Sequence, residues 1–344
     1  MSEEKILSAS RIKTLESCSW KYWCTYHLKL PRSSNAGAVR GTVCHLVLEL
    51  LLDDRHKQYV KTITESGTIE SVSSIKKLVE KNLTKLGYYN EENYEMCDEM
   101  IVVGLNLDFF GGKGASITDP EKEFLLDTTD DPDKPSYKIL GYIDKPIEYK
   151  DKIRIVDYKS SKERFTEKEC EYNVQALAYL LAAKQIWPKI KDTSIEFQFL
   201  RFPENPSIEI KANEEQLKGF EEYLGYIYSI INNYTETDAH SNFASRQPRP
   251  EKGDGFKGPL MCGFAKYPGQ LKKNGDPMWH CEHKFAYDYY ALVDSKGAVL
   301  KTAMAEDELD YSKGNIEKRH YEGCPAKNCQ AKNNLQDDDP FLDF

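Results

Sequence analysis

A chain of 344 residues, 40% of them hydrophobic, can bury a real core, either as one large domain or as a core with an appended module. Its net charge of −9 excludes a protein that merely coats nucleic acid, because that affinity comes from lysine and arginine neutralising phosphates. No apolar stretch follows the acidic start Met1–Glu4, and the longest apolar run, Leu46 to Leu52, is broken by Glu49, so neither a signal peptide nor a membrane span is expected. Nine cysteines at irregular spacings favour free thiols or metal ligands over disulfides, which points to a reducing, cytoplasmic setting.

In chain order, Ser8 and Ser10 can cap a helix from Arg11 to about His27, and a loop around Pro31 to Gly37 follows. Val39, Val43, Leu46, Val47 and Leu50 recur at helical spacing and predict an amphipathic helix with His45 and Glu49 on another side. Two more helices are expected over 72–86 and 93–110. The pattern then changes: Glu121–Asp127, Tyr137–Tyr149 and Lys152–Lys159 read as short strands, with a tight turn at Lys150-Asp151. A helix from Glu167 to Trp187 ends before Pro188, strands follow over 194–202 and 207–211, and a last helix runs from Asn213 to about Tyr234. The order predicts a mixed α/β core over residues 1–245. Beyond it, Pro, Gly, Lys and scattered cysteines mark a small cysteine-bearing module over 246–329, and the polar, acidic stretch 330–344 reads as a disordered tail.

An acidic residue followed two positions later by lysine is not specific, since Glu148-Tyr149-Lys150, Glu209-Ile210-Lys211 and Asp294-Ser295-Lys296 share the spelling. Asp157-Tyr158-Lys159 differs in its setting. Gly141-Tyr142-Ile143-Asp144 precedes it on a strand, and the return through Ile153 to Lys159 can bring two carboxylates to one sheet end, with Asp157 and Lys159 on one face and Tyr158 on the other. Phosphodiester cleavage requires such a set: carboxylates to hold a divalent metal and a lysine to steady the attacking water or the developing charge.

These residues resemble, in order, the motifs of the PD-(D/E)XK nuclease superfamily, in particular its RecB-like branch with the AddB and CRISPR-adaptation nucleases. Ser8 to Cys18 is similar to the opening helix of that branch, Gly41-Thr42-Val43-Cys44-His45 to its Gly-x-x-x-His, Gly141 to Asp144 to its first acidic strand, Asp157 to Lys159 to the acidic-x-Lys motif, and Gln175 to Tyr179 to its Gln-x-x-x-Tyr helix. The resemblance implies a restriction-endonuclease-like mixed β-sheet flanked by helices. It also implies Mg²⁺ or Mn²⁺ held by His45, Asp144, Asp157 and the Tyr158 carbonyl, with Asp144, Asp157, Lys159, Gln175 and Tyr179 as the catalytic set. Without it, His45 reads as a core histidine, Asp144 with Lys159 as an ion pair, and Glu49 and Glu123 as solvent-facing charge.

The same branch includes nucleases that pin an early cysteine to three late ones through a 4Fe-4S cluster. Cys18 occupies the early position, and Cys262, Cys281, Cys324 and Cys329 supply late thiols at wider spacing than the family uses. Zinc, with His280 and His283 nearby, and free thiols stay open beside iron-sulfur. Cys44, Cys97 and Cys170 fit small core residues. The end, residues 335–344, resembles acidic tips of single-stranded DNA-binding proteins and sliding-clamp peptides, so a replisome partner and a plain solvated tail both stand. The expectation is a divalent-metal-dependent DNA nuclease, an exonuclease in recombination, repair or replication. The alternatives are a structure-specific endonuclease and a catalytically inactive DNA-binding scaffold of the same fold. No phosphate-binding Gly-x-x-x-x-Gly-Lys-Ser/Thr loop occurs, which leaves a nucleotide-driven motor unsupported.

Overall fold

The computed structural model describes residues 5–118, 120–247, 262–275 and 277–326. The chain forms two compact units that do not follow the expected division near residue 245: the first comprises Met1–Ala9 and Ser34–Asn232, the second Ser10–Ser33 and Asn233–Phe344. The early segment 10–33 therefore belongs with the C-terminal part. Composition could not show this, because the segment's partners lie more than 200 residues away: Ser19 alone bonds the carbonyls of Ala239 and Asn242.

In the first unit, β1 (Ser116–Ile117), β4 (Lys145–Glu148), β5 (Lys152–Lys159), β6 (Asp192–Phe199) and β7 (Ser207–Ile210) form a mixed sheet in the order β1-β4-β5-β6-β7. Only β5 and β6 are parallel, and a parallel pair needs a crossover. The crossover here is α7 (Glu167–Glu171) followed by α8 (Val174–Ile186), where one continuous helix was expected. The break is set by two caps, Thr166 for α7 and Asn173 for α8, each side chain accepting a backbone N–H of the turn it opens.

One sheet face is covered by α3 (Ala36–Leu51), α4 (Lys57–Ser66), α5 (Ser73–Lys85) and α6 (Glu91–Leu105), whose apolar residues enclose Ile147, Val156 and Tyr158. On α3 the buried stripe is Val39, Val43, Val47 and Leu51, flanked by Cys44 and Leu48; each such burial stabilises by about 1.5–3 kcal/mol. Leu46 and Leu50, expected in that stripe, are 38% exposed instead. Cys44 and Cys97 are core residues as expected, whereas Cys170 is half-buried. Helix α4 has no counterpart in the expected elements, because its sequence is polar apart from Val60 and Ile63. Its left-handed Gly67 cap was the available signal.

A separate two-stranded sheet, β2 (Lys122–Asp127) with β3 (Lys138–Ile143), pairs Phe124 with Gly141. A Cβ on Gly141 would lie 2.4 Å from the Phe124 ring, so only glycine lets that ring cross the strand. Helix α9 (Glu214–Asn232) closes the unit.

The second unit contains α1 (Ala9–Ser17, from Ser10 onward), α2 (Ser19–Tyr22), a π turn over Trp23–His27 and α10 (Glu236–Ala239). The single helix expected over 11–27 is thus interrupted at Cys18, whose backbone is extended. The module also contains an antiparallel sheet in the order β10-β8-β9, formed by β8 (Tyr287–Val293), β9 (Val299–Ala303) and β10 (Asn315–Tyr321). No helix among the described residues is long and apolar enough to cross a membrane. Cys329 and the tail lie outside the described residues.

Candidate active site

Strand β5 carries the site because its alternation is split between two environments. Val156 and Tyr158 are buried among the helices, while Asp157 and Lys159 face the other way, toward α8. Asp157 is 2% exposed, so its charge needs partners. Lys159 Nζ lies 2.5 Å from Asp157 Oδ2, and Gln175 Nε2 donates to Oδ1 at 2.7 Å. The Gln175 amide bridges the pair, since its Oε1 accepts from Lys159 Nζ at 2.9 Å. Its second N–H goes to the Tyr179 hydroxyl at 2.9 Å, and Tyr179 donates in turn to the Tyr142 carbonyl at 2.6 Å. Burial and the nearby Asp157 hold the Tyr179 pKa far above the ordinary phenol range, so it remains a neutral donor. Gln175 and Tyr179 act together because four residues separate them on one helix.

Asp144 was expected inside a strand that returns antiparallel as β5. It sits instead in the break between β3 and β4: β3 pairs with β2, and β4 pairs with β5. The expected turn does form, with the Tyr149 N–H donating to the Lys152 carbonyl at 2.8 Å. Freed from the ladder, the Asp144 carboxylate accepts the Tyr158 N–H on Oδ2 at 3.1 Å. His45 Nδ1 lies 3.3 Å from the same oxygen, and His45 Nε2 lies 3.0 Å from the Tyr158 carbonyl. A neutral imidazole that donates Nε2–H to that carbonyl leaves Nδ1 as its acceptor nitrogen. Burial and then Asp157 push the Asp144 carboxyl well above its usual range, while burial lowers the His45 imidazole.

The residue missed in the sequence is Glu121. Its carboxylate, that of Asp144 and the His45 ring offer ligand atoms that all lie within 4.8 Å of one another. Its N–H also donates to the Asp144 carbonyl at 3.1 Å. The register supplies a signal: Lys122 pairs with Ile143, so the preceding Glu121 falls level with Asp144. Burial, then Glu49 and Asp157, raise the Glu121 pKa. Glu49 remains exposed, one turn after His45. Glu123 points to the outer side of the hairpin, where it accepts from the Tyr142 hydroxyl at 2.9 Å. Gly41 lets α3 close on this strand end, because a Cβ there would lie 2.6 Å from Ser160 Oγ, just past Lys159.

One imidazole, two crowded carboxylates and the Tyr158 carbonyl form a hard oxygen-and-nitrogen donor set of the kind Mg²⁺ or Mn²⁺ takes. The upward pKa shifts of Asp144 and Glu121 fit as well, since both record negative charge that a cation would offset. Asp157, expected as a ligand too, is engaged by Lys159 and Gln175.

In the second unit, Cys18, Cys262, Cys281 and Cys324 line one recess with Trp20 and His283. The Cys281 N–H donates to the Cys262 carbonyl at 3.2 Å, and the Cys324 N–H to that of Lys284 at 3.2 Å. Burial pushes the Cys324 thiol up to about 12 and raises Cys281 as well, a cost that metal binding would remove. His283 is 1% exposed, and among the described residues its Nε2 has no hydrogen-bond partner, the Glu282 carboxylate standing 3.7 Å away. His280 contacts the Phe285 ring at 5.0 Å. Among the described residues, no three of these thiols and imidazoles come within 4.8 Å of one another. Tetrahedral zinc would set thiolates about 3.8 Å apart, whereas a four-iron cluster, with one thiolate on each iron, spreads them wider.

Comparison with known proteins gives a match to the PD-(D/E)XK nuclease superfamily over residues 6–247, more than half of the chain. No curated protein matches. A crystal structure of a protein from Eubacterium rectale named "Putative exonuclease" aligns over 72% of this chain and 91% of its own, with 12% identity and a TM-score of 0.41. That likeness is too low to carry an argument.

Proposed function

The chain belongs to the PD-(D/E)XK nuclease superfamily, and from that premise we propose a divalent-metal-dependent DNA nuclease that acts as an exonuclease in recombination, repair or replication. Its mixed sheet flanked by helices is the restriction-endonuclease-like fold of that family. The observation that carries the reading is the convergence at one end of β5. His45, Glu121 and Asp144 gather beside the Tyr158 carbonyl, while Asp157, Lys159 and Gln175 form one bonded set from the same strand.

His45, Glu121, Asp144 and the Tyr158 carbonyl would hold the ion, with Asp157 beside them. When bound, a divalent ion stabilises charge building on the phosphate and makes a coordinated water more acidic. The rest falls to the chain. The Lys159 ammonium, fixed between Asp157 and Gln175, steadies the attacking water and the anionic phosphorus centre. Gln175 and Tyr179 keep Asp157 and Lys159 in register, so the charges need no rearrangement as the reaction proceeds.

Purified protein should degrade linear DNA only when Mg²⁺ or Mn²⁺ is present, and should leave a covalently closed circle intact. Cutting of the circle would replace the exonuclease reading with an endonuclease. No cutting of either DNA with either metal would leave an inactive scaffold.

For the thiol recess we favour a 4Fe-4S cluster on Cys18, Cys262, Cys281 and Cys324, supported by the gathering of one early and three late cysteines on one recess; Cys329 is a further candidate. Brown colour and iron in anaerobically purified protein test this, and zinc in place of iron refutes it. Among the described residues no disulfide joins two cysteines, which supports a reducing, cytoplasmic setting. Residues 335–344 remain a candidate docking peptide for a sliding clamp or a single-stranded DNA-binding protein.

A further inference from the structure

The stretch between Cys262 and Cys281 has a built base and an unusual tip. At the base, Gly263 bridges His280 in an antiparallel pair, and the Gly263 carbonyl accepts from the buried Lys284 Nζ at 3.0 Å. Gly263 is required there: its φ is +70°, and a Cβ would lie 2.2 Å from the Trp279 carbonyl oxygen. Ala265 is fully buried. Further out, a second bridge joins Leu271 to Pro277, and the Met278 N–H donates to the Gln270 carbonyl at 2.7 Å. This is a narrow finger with a fixed root.

The side chains on that finger are large, apolar and in solvent. Phe264 is 41% exposed, Tyr267 59%, Leu271 57% and Trp279 56%. Lys266, Lys272 and Lys273 are interleaved with them, against a single acid, Asp276, between residues 263 and 280. A cationic, aromatic strip on a chain of net charge −9 is a local departure from the rest of the molecule. Lysines attract a polyanion, and open aromatic faces take unpaired bases, which a duplex keeps stacked inside. A purely apolar partner would have no use for the lysines.

We propose that residues 263–275 and 277–280 form a finger that grips single-stranded DNA, stacking bases on Tyr267 and Trp279 and pairing phosphates with Lys266, Lys272 and Lys273. The inference rests on DNA being the substrate of this nuclease and names the form of DNA it holds.

The test is fluorescence anisotropy of a labelled oligodeoxythymidine against full-length protein without added divalent metal. The Tyr267→Ala/Trp279→Ala variant should bind at least about tenfold more weakly, while Tyr267→Phe/Trp279→Phe retains affinity and binding to a duplex of equal length changes little. Replacing Lys272 and Lys273 by alanine should reduce the slope of log affinity against log salt concentration by about 0.7 per lysine. Unchanged oligonucleotide affinity in the alanine variant, or equal losses on single strand and duplex, overturns the finger. DNA cutting by the wild type with Mg²⁺, measured alongside, separates the two failures. Intact cutting with unchanged binding rejects the finger alone, whereas a wild type that neither cuts nor binds DNA rejects both readings.

Discussion

Replacing Gln175 tests whether the site works as a bonded unit. Its amide donates to Asp157 at 2.7 Å and accepts from Lys159 at 2.9 Å, so Gln175→Leu removes two charge-assisted hydrogen bonds. The Lys159 side chain is 22% exposed and can recover a water, whereas Asp157 at 2% cannot. The net loss is then about 2 kcal/mol, the usual worth of one hydrogen bond to a buried charge. If that energy only holds the fold, the melting temperature falls by about 4–8 °C. If it also fixes Asp157 and Lys159 for the reaction, kcat/KM drops by about 30-fold. Gln175→Glu separates the two roles, because it keeps the shape and the acceptor for Lys159 while setting an anion against Asp157. Initial rates on linear DNA at saturating Mn²⁺, with a thermal melt of each variant, decide the matter. Full activity in the Gln175→Glu protein would refute the claim that the amide donates to Asp157.

Three further outcomes follow from the same structure. Asp144 and Glu121 have raised folded-state pKa values, so the stability they contribute is present below the ordinary carboxylate pKa of about 4 and is lost as pH rises through the raised values. Since Mg²⁺ or Mn²⁺ competes with those protons, the metal-induced rise in melting temperature should grow between about pH 5 and pH 8; a flat or shrinking rise contradicts the assigned ligands. Gly141→Ala places a methyl 2.4 Å from the Phe124 ring and should cost about 1–3 kcal/mol, partly recovered by Phe124→Leu in the same chain; additive losses in denaturant melts would argue against that contact. Lys145 is fully buried, and desolvation brings its pKa down to about 7, so Lys145→Met should raise the melting temperature near neutral pH. That gain should shrink as pH rises above about 7 and vanish above about pH 11, where the wild-type amine is neutral in both states.

The sequence showed most of this site because its residues lie in short stretches with strong local rules. Period two on β5 separates Asp157 and Lys159 from Val156 and Tyr158, and a four-residue step on α8 aligns Gln175 with Tyr179. What it hid depends on long-range pairing. The strand through Asp144 reads as continuous, yet it breaks there because β3 and β4 join different sheets. Glu121 becomes level with Asp144 only once β2 and β3 are in register, and its own φ of +55° follows no propensity rule for glutamate. Apolar spacing on α3 admitted Leu46 and Leu50 to the buried stripe, whereas the bundle took Leu48 and Leu51. In the C-terminal region the turn-rich composition masked three paired strands, and nothing local to residues 10–33 shows that they pack with a segment more than 200 residues away.

The most direct test is digestion of linear DNA by the wild type and by Asp157→Ala and Lys159→Ala, with Mg²⁺, with Mn²⁺ and with chelator, each protein first shown to melt cooperatively. Metal-dependent degradation by the wild type and its loss in both folded variants is the predicted result. Full activity in either variant, or wild-type cutting that persists in chelator, would contradict it.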